Sequence, residues 1–414
     1  MEFISDLHLH SRFSRACSKS ITLNNLERYA RIKGLNLLST SDFQHPKWNK
    51  EIKENLKEDD KGILRSKTKF PFLWQTEISL IYTQDGKGRR VHHVILAPSS
   101  GVVDQIIEAL GKKGRMDYDG RPIFGFDSVE LVDMMRKIST DIEIIPAHAW
   151  TSHFSILGEY SQFSKVEDCF KDNTKYIHAL ETGMSSNPSD NWRLSVLDKF
   201  QLVSFSDSHS YWPWRLGREA TVFDFGELSY DNVLKAIRTG EGLKSTVETP
   251  VFYGKYHFSG HRNCSFSCDP VESKKLNRIC PKCSKKMTVG VADRIELLSD
   301  RPEGYKRENA VPFYSLLPLH ELIAAVNGIV GLGSIKVWDI YNRLVTKFGN
   351  EFNVLLKASK EDLLKVVDVK LVNIILKNRE GNLKIECGFD GVYGRIILDE
   401  KDKVISQKNL TSFA

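Results

Sequence analysis

Seven short apolar runs in the first 245 residues each lead into a histidine or a carboxylate. The first, Phe3–Ser5, runs into Asp6-Leu7-His8-Leu9-His10, the second into Asp42 and the third into Glu77. The fourth carries His92 and His93, the fifth ends at His148, the sixth at Glu181, and the seventh at Asp207-Ser208-His209. Amphipathic stretches separate them, among them Leu23–Ile32, Val103–Leu110, Val129–Ile138, Asn191–Phe200 and Asn232–Arg238. Strand followed by helix, repeated about seven times, predicts a parallel barrel or a doubly wound sheet. In barrels the reactive groups gather at the C-terminal ends of the strands. Chance would not put an acid or a histidine at seven successive strand ends, so the pattern favours a barrel with metal-binding groups at its mouth.

Two residues apart on an extended strand, His8 and His10 project the same way and can reach one ion. Alone, such a pair reads equally well as the solvent face of an edge strand. Asp207 and His209 repeat the spacing near the far end of the region, and Glu77 and His148 lie between. Mixed oxygen and nitrogen donors suit zinc, manganese or iron better than magnesium. So many ligands exceed one coordination sphere, so two or three ions are expected to share the site. Such a site supplies hydroxide near neutral pH and neutralises charge on attacking and leaving oxygens, which phosphate ester hydrolysis needs.

Beyond residue 245 the pattern breaks. The stretch from Thr249 to Pro302 is rich in Gly, Pro, Lys and Cys. Within it, Cys264-x3-Cys268-x11-Cys280-x2-Cys283 approximates the spacing of a tetrahedral structural zinc. His257 or His261 is an alternative to Cys268 as fourth ligand, and a redox pair is the competing role for the cysteines. A segment with so little apolar sequence is expected to hold its shape through a metal.

From Leu316 to Asn378 the periodicity is helical. There Gly331-Leu332-Gly333-Ser334-Ile335-Lys336 resembles the turn of a helix–hairpin–helix, whose backbone N–H groups grip a DNA phosphate. A packing turn between two helices is the alternative. A degraded second copy is expected from Ser359 to Lys377. Gly331, Gly333 and Lys336 are thus candidate DNA contacts, as are Arg215 and Arg218 beyond the seventh strand. A net charge of +6 suits an anionic partner without requiring one. With 41% hydrophobic residues, no apolar run of membrane-spanning length and no basic leader at the N-terminus, a cytoplasmic globular protein is expected.

The first 245 residues resemble the PHP phosphoesterase superfamily through Asp6-Leu7-His8-Leu9-His10, Thr40-Ser41-Asp42, Glu77, Pro146-Ala147-His148 and Ser206-Asp207-Ser208-His209. The resemblance implies a distorted seven-stranded (β/α)7 barrel. It also implies metal ligation by His8, His10, Asp42, Glu77, His148, Asp207 and His209. On the fourth strand it favours His92 over His93, from the distance to Leu96-Ala97. Two departures stand out. Phe43 follows Asp42 where most members have histidine, with His45 nearby, and Ser14–Ser18 lacks the usual further ligand.

Over the whole chain the sequence is similar to the endonuclease Q family. The motifs that carry this are Tyr118-Asp119-Gly120-Arg121-Pro122, Glu181–Ser186, Leu216-Gly217-Arg218-Glu219, the cysteine segment and Asp390-Gly391-Val392-Tyr393-Gly394. That family nicks DNA on the 5′ side of deaminated bases and abasic sites. The resemblance implies a barrel over 1–245, a zinc-binding domain over 246–305 and a helical DNA-binding domain over 306–414. His8, His10, Glu77 and Asp207 would be central to catalysis. Zinc is expected at the cysteines, and two or three divalent ions (zinc, manganese or magnesium) in the barrel. The expected partner is damaged DNA, double- or single-stranded, with the protein a monomer and room left for a repair-protein or clamp partner. A PHP phosphatase of a small metabolite and an inert DNA-binding module are the competing functions. The first leaves the cysteine segment and C-terminal helices without a task, and the second shows DNA affinity without metal-dependent turnover.

Overall fold

The computed structural model describes residues 1–398; residues 399–414, the end of the expected 306–414 segment, lie outside the described residues. The fold is mixed α/β. Strand β1 (Glu2–Asp6) pairs in parallel with β2 (Leu37–Ser39), and β2 in parallel with β3 (Pro71–Gln84). The helix between the first two, Leu23–Lys33, starts at Thr22, whose hydroxyl accepts from the Asn25 amide, and ends at left-handed Gly34. Its buried face carries Leu23, Leu26 and Ala30, at the spacing of one helical stripe.

The next step departs from strand–helix alternation. Strand β3 turns directly into β4 (Lys87–Ala97), and the two form a long antiparallel hairpin. Asp85 and Gly86 at its tip have φ of 52° and 72°, as a two-residue hairpin turn of the right twist requires. Strand β5 (Glu143–Pro146) is antiparallel to β4. Strands β6 (Ala179–Glu181) and β7 (Gln201–Val203) pair in parallel in a sheet of their own. An amide of the loop after β5 reaches them, Ala149 N–H donating to the Glu181 carbonyl at 2.9 Å. Ala220–Asp224 and Leu243–Glu248 extend the main sheet beyond β1 with antiparallel pairings, and Phe313–Ser315 joins its edge in parallel.

The helix expected over Asn191–Phe200 is broken. The chain forms a short helix at Pro188–Trp192, capped by Asn187 and Asp190, and a separate turn at Ser195–Leu197. The capping box and Pro188 start a helix three residues earlier than the apolar pattern suggests.

Two large apolar clusters form the interior, whereas the cysteine segment buries only Cys268, Cys280 and Met287 in a cluster of its own. At the C-terminal end, Leu319–Val326 and Ile335–Phe348 flank the glycine turn, and Lys360–Leu364 and Val369–Arg379 form the second helix pair. Among the described residues no helix is long and apolar enough to cross a membrane.

Candidate metal centre and the cavity beside it

Beyond β1 the chain alternates: Leu7 and Leu9 are fully buried, while His8 and His10 turn to the common rim. Each imidazole is held from behind. His8 Nδ1 donates to Glu181 Oε1 at 2.9 Å, and His10 Nδ1 lies 3.2 Å from Asp42 Oδ1. This directs both Nε2 atoms forward, where Asp207 Oδ1 stands 3.7 and 3.0 Å away. Glu77 spans the centre. Its Oε2 lies 3.2 Å from His10 Nε2, and its Oε1 is 2.8 Å from His92 Nδ1 and 3.3 Å from His148 Nε2. Two donor groups result, His8–His10–Asp207 and Glu77–His92–His148, with the donor atoms of each within 4.8 Å of one another.

These atoms are close yet poorly satisfied. His8 Nε2, His10 Nε2, His92 Nδ1 and Asp207 Oδ1 are buried without a hydrogen bond of acceptable geometry, although opposite charges stand at 2.8 to 3.7 Å. Several donors aimed at one point, none bonding its neighbour, is the arrangement a cation between them would satisfy. Burial lowers the His8 pKa, but the Glu181 and Glu77 carboxylates outweigh it and hold the value well above the ordinary one. For His10, burial is likewise outweighed, by Asp42 first and then Asp207. Burial works against ionised Glu77, yet His92, Arg121 and His8 keep its carboxyl well below the usual range. The carboxylates that raise the pKa of these imidazoles would equally favour a divalent ion among them.

The backbone is strained at the strand ends. Asp42, His148 and Asp207 have φ of 29°, 32° and 47°, a region that non-glycine residues seldom enter. Gly183 is tied to one of them: a Cβ there would lie 2.7 Å from His148 Cβ. The family motif around Gly183 therefore serves close approach, while Glu181 in the same motif also accepts the His148 amide at 2.6 Å.

Asp42 departs from expectation. Oδ1 faces the far nitrogen of His10, and Oδ2 accepts from the Ser11 amide at 2.6 Å and the Ser14 hydroxyl at 2.8 Å. Its oxygens are thus engaged away from both donor groups, and Asp42 orients His10 instead of joining them. Ser14, in the segment that lacks the usual ligand, completes this arrangement. His209 stands beside the first group, its Nδ1 donating to the Asp207 carbonyl at 3.0 Å and its ring centroid 4.6 Å from that of His10. On β4, His92 and His93 face opposite ways; His93 Nε2 bonds Ser128 Oγ at 2.9 Å. His45 stacks on Phe13, away from both groups.

Two residues escaped the reading of single positions. Glu181 was legible only as an acid at a strand end, although it holds both His8 and His148. Arg121 donates to Glu77 Oε2 at 3.0 Å, and Gly120 before it packs against Asp42, where a Cβ would come within 2.3 Å of Oδ2. The signal for Glu181 was the Glu181–Ser186 motif, and for Arg121 the Tyr118–Pro122 motif, whose glycine and arginine carry distinct tasks.

Beside the donor groups opens a cavity of about 640 Å³, whose lining includes His92, His148, Asp207 and His209 together with Arg215, Arg218, Lys255 and Tyr393. Arg218 anchors on the Ser206 carbonyl through Nε and Nη2, and Arg215 Nη1 lies 3.5 Å from Glu321. Gly331, Gly333 and Lys336 are exposed on the helical region, with Gly333 close to Trp214.

In the cysteine segment, the donor atoms of His261, Cys264, Cys280 and Cys283 converge within 4.8 Å. His261 Nδ1 is 3.1 Å from Cys264 Sγ and 3.3 Å from Cys283 Sγ. Cys268 stands outside the group, and His261 takes the place expected for it. On the hairpin of Ser259–His261 with Phe266–Cys268, Cys268 pairs with Ser259, two residues along from the rung of His261. The Cys268 sulfur is not among the donor atoms that converge there. One nitrogen and three sulfurs in a closed group suit zinc.

Comparison with known proteins places these features. A sequence family described as the MJ0043 C-terminal domain matches residues 318–382. The uncharacterized protein MJ0043 of Methanocaldococcus jannaschii is 30% identical over 242 residues, 57% of this chain, and the match spans only 30% of that protein's length. YqxK of Bacillus subtilis is 26% identical over 95% of the chain and 98% of its own. The crystal structure of the lesion-specific endonuclease PfuEndoQ from Pyrococcus furiosus superposes with a TM-score of 0.87 at 29% identity, covering all of both chains. Endonuclease Q in complex with a 27-mer duplex bearing an abasic lesion at the active site gives 0.87 at 30% identity, over 99% of this chain and all of that one.

Proposed function

The chain belongs to the endonuclease Q family, and from that premise we propose that it is a DNA repair endonuclease that hydrolyses the phosphodiester 5′ of deaminated bases (uracil, hypoxanthine, xanthine) and abasic sites. One observation carries the reading: two donor groups, joined through Glu77, open onto a cavity that Arg215, Arg218 and Lys255 also line. Residues 1–245 form the PHP-type catalytic unit, 246–305 the zinc-bound segment, and 306–398 with the chain end the helical DNA-binding part.

His8, His10 and Asp207 would hold one divalent ion and Glu77, His92 and His148 another, with His209 at hand for the first. Ions there supply a nucleophile from water near neutral pH and offset charge on the departing oxygen. The chain's own residues set the geometry. Glu181 and Asp42 fix the tautomers of His8 and His10 so that Nε2 faces forward, and Arg121 holds one Glu77 oxygen in place. The cavity volume falls in the range of small-ligand sites and suits one extruded nucleotide. Arg215, Arg218, and the turn at Gly331, Gly333 and Lys336 contact the backbone and leave sequence unread.

End-labelled duplexes carrying uracil, hypoxanthine or an abasic site test the reading. A single cut 5′ of the lesion, leaving an extendable 3′-hydroxyl, is expected with divalent metal. Intact duplexes together with release of phosphate from small esters would overturn it.

A further inference from the structure

The motif around Tyr393 has no part in the metal groups, yet it reaches the same cavity from a distant part of the chain. Asp390 fixes its turn, Oδ2 accepting from the Arg262 amide at 2.7 Å and Oδ1 from the Thr288 hydroxyl at 2.6 Å. The Gly391 amide donates to the Lys255 carbonyl at 3.0 Å. Tyr393 is thereby set beside Lys255, whose Nζ lies 4.5 Å from the ring centroid, and Arg215, whose guanidinium carbon lies 5.6 Å away.

Arg218 brings a third cation and a vacancy in its bonding. Nε and Nη2 are spent on the Ser206 carbonyl, while Nη1 is buried without a hydrogen-bond partner. Among the described residues neither Arg218 nor Lys255 forms an ion pair. Burial first, and then Glu248, pushes the carboxyl of neighbouring Glu219 well above the usual range, and no ion pair joins it to Arg218 among the described residues. Burial raises the Tyr393 phenol, but Arg218, Arg215 and Lys255 outweigh it and hold the pKa below the ordinary value. A buried guanidinium nitrogen without a partner is costly unless an acceptor completes it.

We propose that Arg218, Lys255 and Tyr393 form a seat for a second phosphodiester, the one on the 3′ side of the extruded nucleotide, within the cavity that the metal groups also line. It rests on the nuclease reading above. The metals engage the phosphate to be cut, and this seat fixes the next one along, so the nucleotide between them is held at both ends. Guanidinium, ammonium and phenol all donate to a diester oxygen, so the recognition is of backbone and not of base.

Abasic duplexes with one neutral methylphosphonate linkage, moved step by step along the lesion strand, test this. Binding is measured with Asp207→Asn protein, so that no strand is cut, alone and combined with Lys255→Gln, Tyr393→Phe or Arg218→Gln. Neutralising the linkage 3′ of the lesion is expected to weaken binding about tenfold, the size of one charge-assisted contact. With Lys255→Gln or Arg218→Gln added, that same linkage is expected to cost less than about twofold, while other sensitive linkages keep their full effect. Each removed cation should also lower the salt slope by about one. Lys255 is exposed, so its variant keeps the fold even if Arg218→Gln does not. Losses that multiply independently at every linkage would overturn the seat while leaving the nuclease reading intact. Wild-type protein that neither binds nor cuts the abasic duplex would overturn both.

Discussion

The rim donors and the cysteine donors of this protein are opposite in construction. The rim cluster draws on residues from His8 to Asp207, mixes imidazole with carboxylate, and opens onto a cavity. The cysteine cluster comes from the short segment between His261 and Cys283, is sulfur-rich, and lies in a part of the chain with almost no apolar core of its own. An open site with hard and borderline donors suits chemistry at the ion, whereas a closed thiolate site suits holding a fold. Position in sequence follows the same division: the fold must exist before the rim groups meet, but the cysteine group helps create the fold around it.

The sharpest way to break the contrast is to remove one rim oxygen. Asp207→Asn is expected to abolish nicking while leaving duplex binding within about twofold, since backbone contacts and metal chemistry are separable. Normal cutting by this variant, measured on end-labelled abasic duplex, would place the chemistry elsewhere. Glu181→Gln should be milder. It keeps the shape behind His8 but weakens the bond that sets its tautomer, so metal affinity and activity should fall about 10- to 100-fold. An unchanged metal titration would show that Glu181 merely fills space.

At the other cluster the readout changes from rate to stability. Cys280→Ser, Cys283→Ser and His261→Ala are each expected to cost the bound zinc and lower the melting temperature, whereas Cys268→Ser keeps the zinc. Metal analysis alongside thermal melts decides it; zinc loss from Cys268→Ser alone would restore Cys268 as the ligand. Smaller still, bulky residues at Gly331 or Gly333 should weaken binding to damaged and undamaged duplexes alike. Lys336→Gln should lower the salt slope by about one. Binding that stays normal while discrimination for the lesion drops would move recognition to the helical region.

The same contrast explains what could be read from the sequence. Residues that announce themselves by type just past a strand, such as His8, His148 and Asp207, were legible from the pattern of strand ends, whereas Glu77, expected at a strand end, lies in the middle of β3. The Cys-x2-Cys half of the second cluster was legible because its partners are neighbours. Asp42 was not, because ligand and orienting carboxylate share one residue type, and only the Ser11 and Ser14 bonds tell them apart. His261 over Cys268 depended on which donor atoms the fold brings together, which spacing along the chain does not give. The β3–β4 hairpin was signalled by Asp85-Gly86, but the apolar runs on either side fit alternation with helices equally well.

The central claim is that the rim ions do the chemistry and the cysteine-bound ion holds the fold. Treating the purified protein with a mild chelator, then measuring bound metal, thermal melting and nicking on one sample, tests it most directly. The account predicts that about one zinc per chain remains, that melting stays cooperative, and that nicking disappears and returns when manganese, magnesium or zinc is added back. Cutting that persists after the rim is emptied, or a protein that unfolds while its cysteine-bound zinc is still in place, would contradict it.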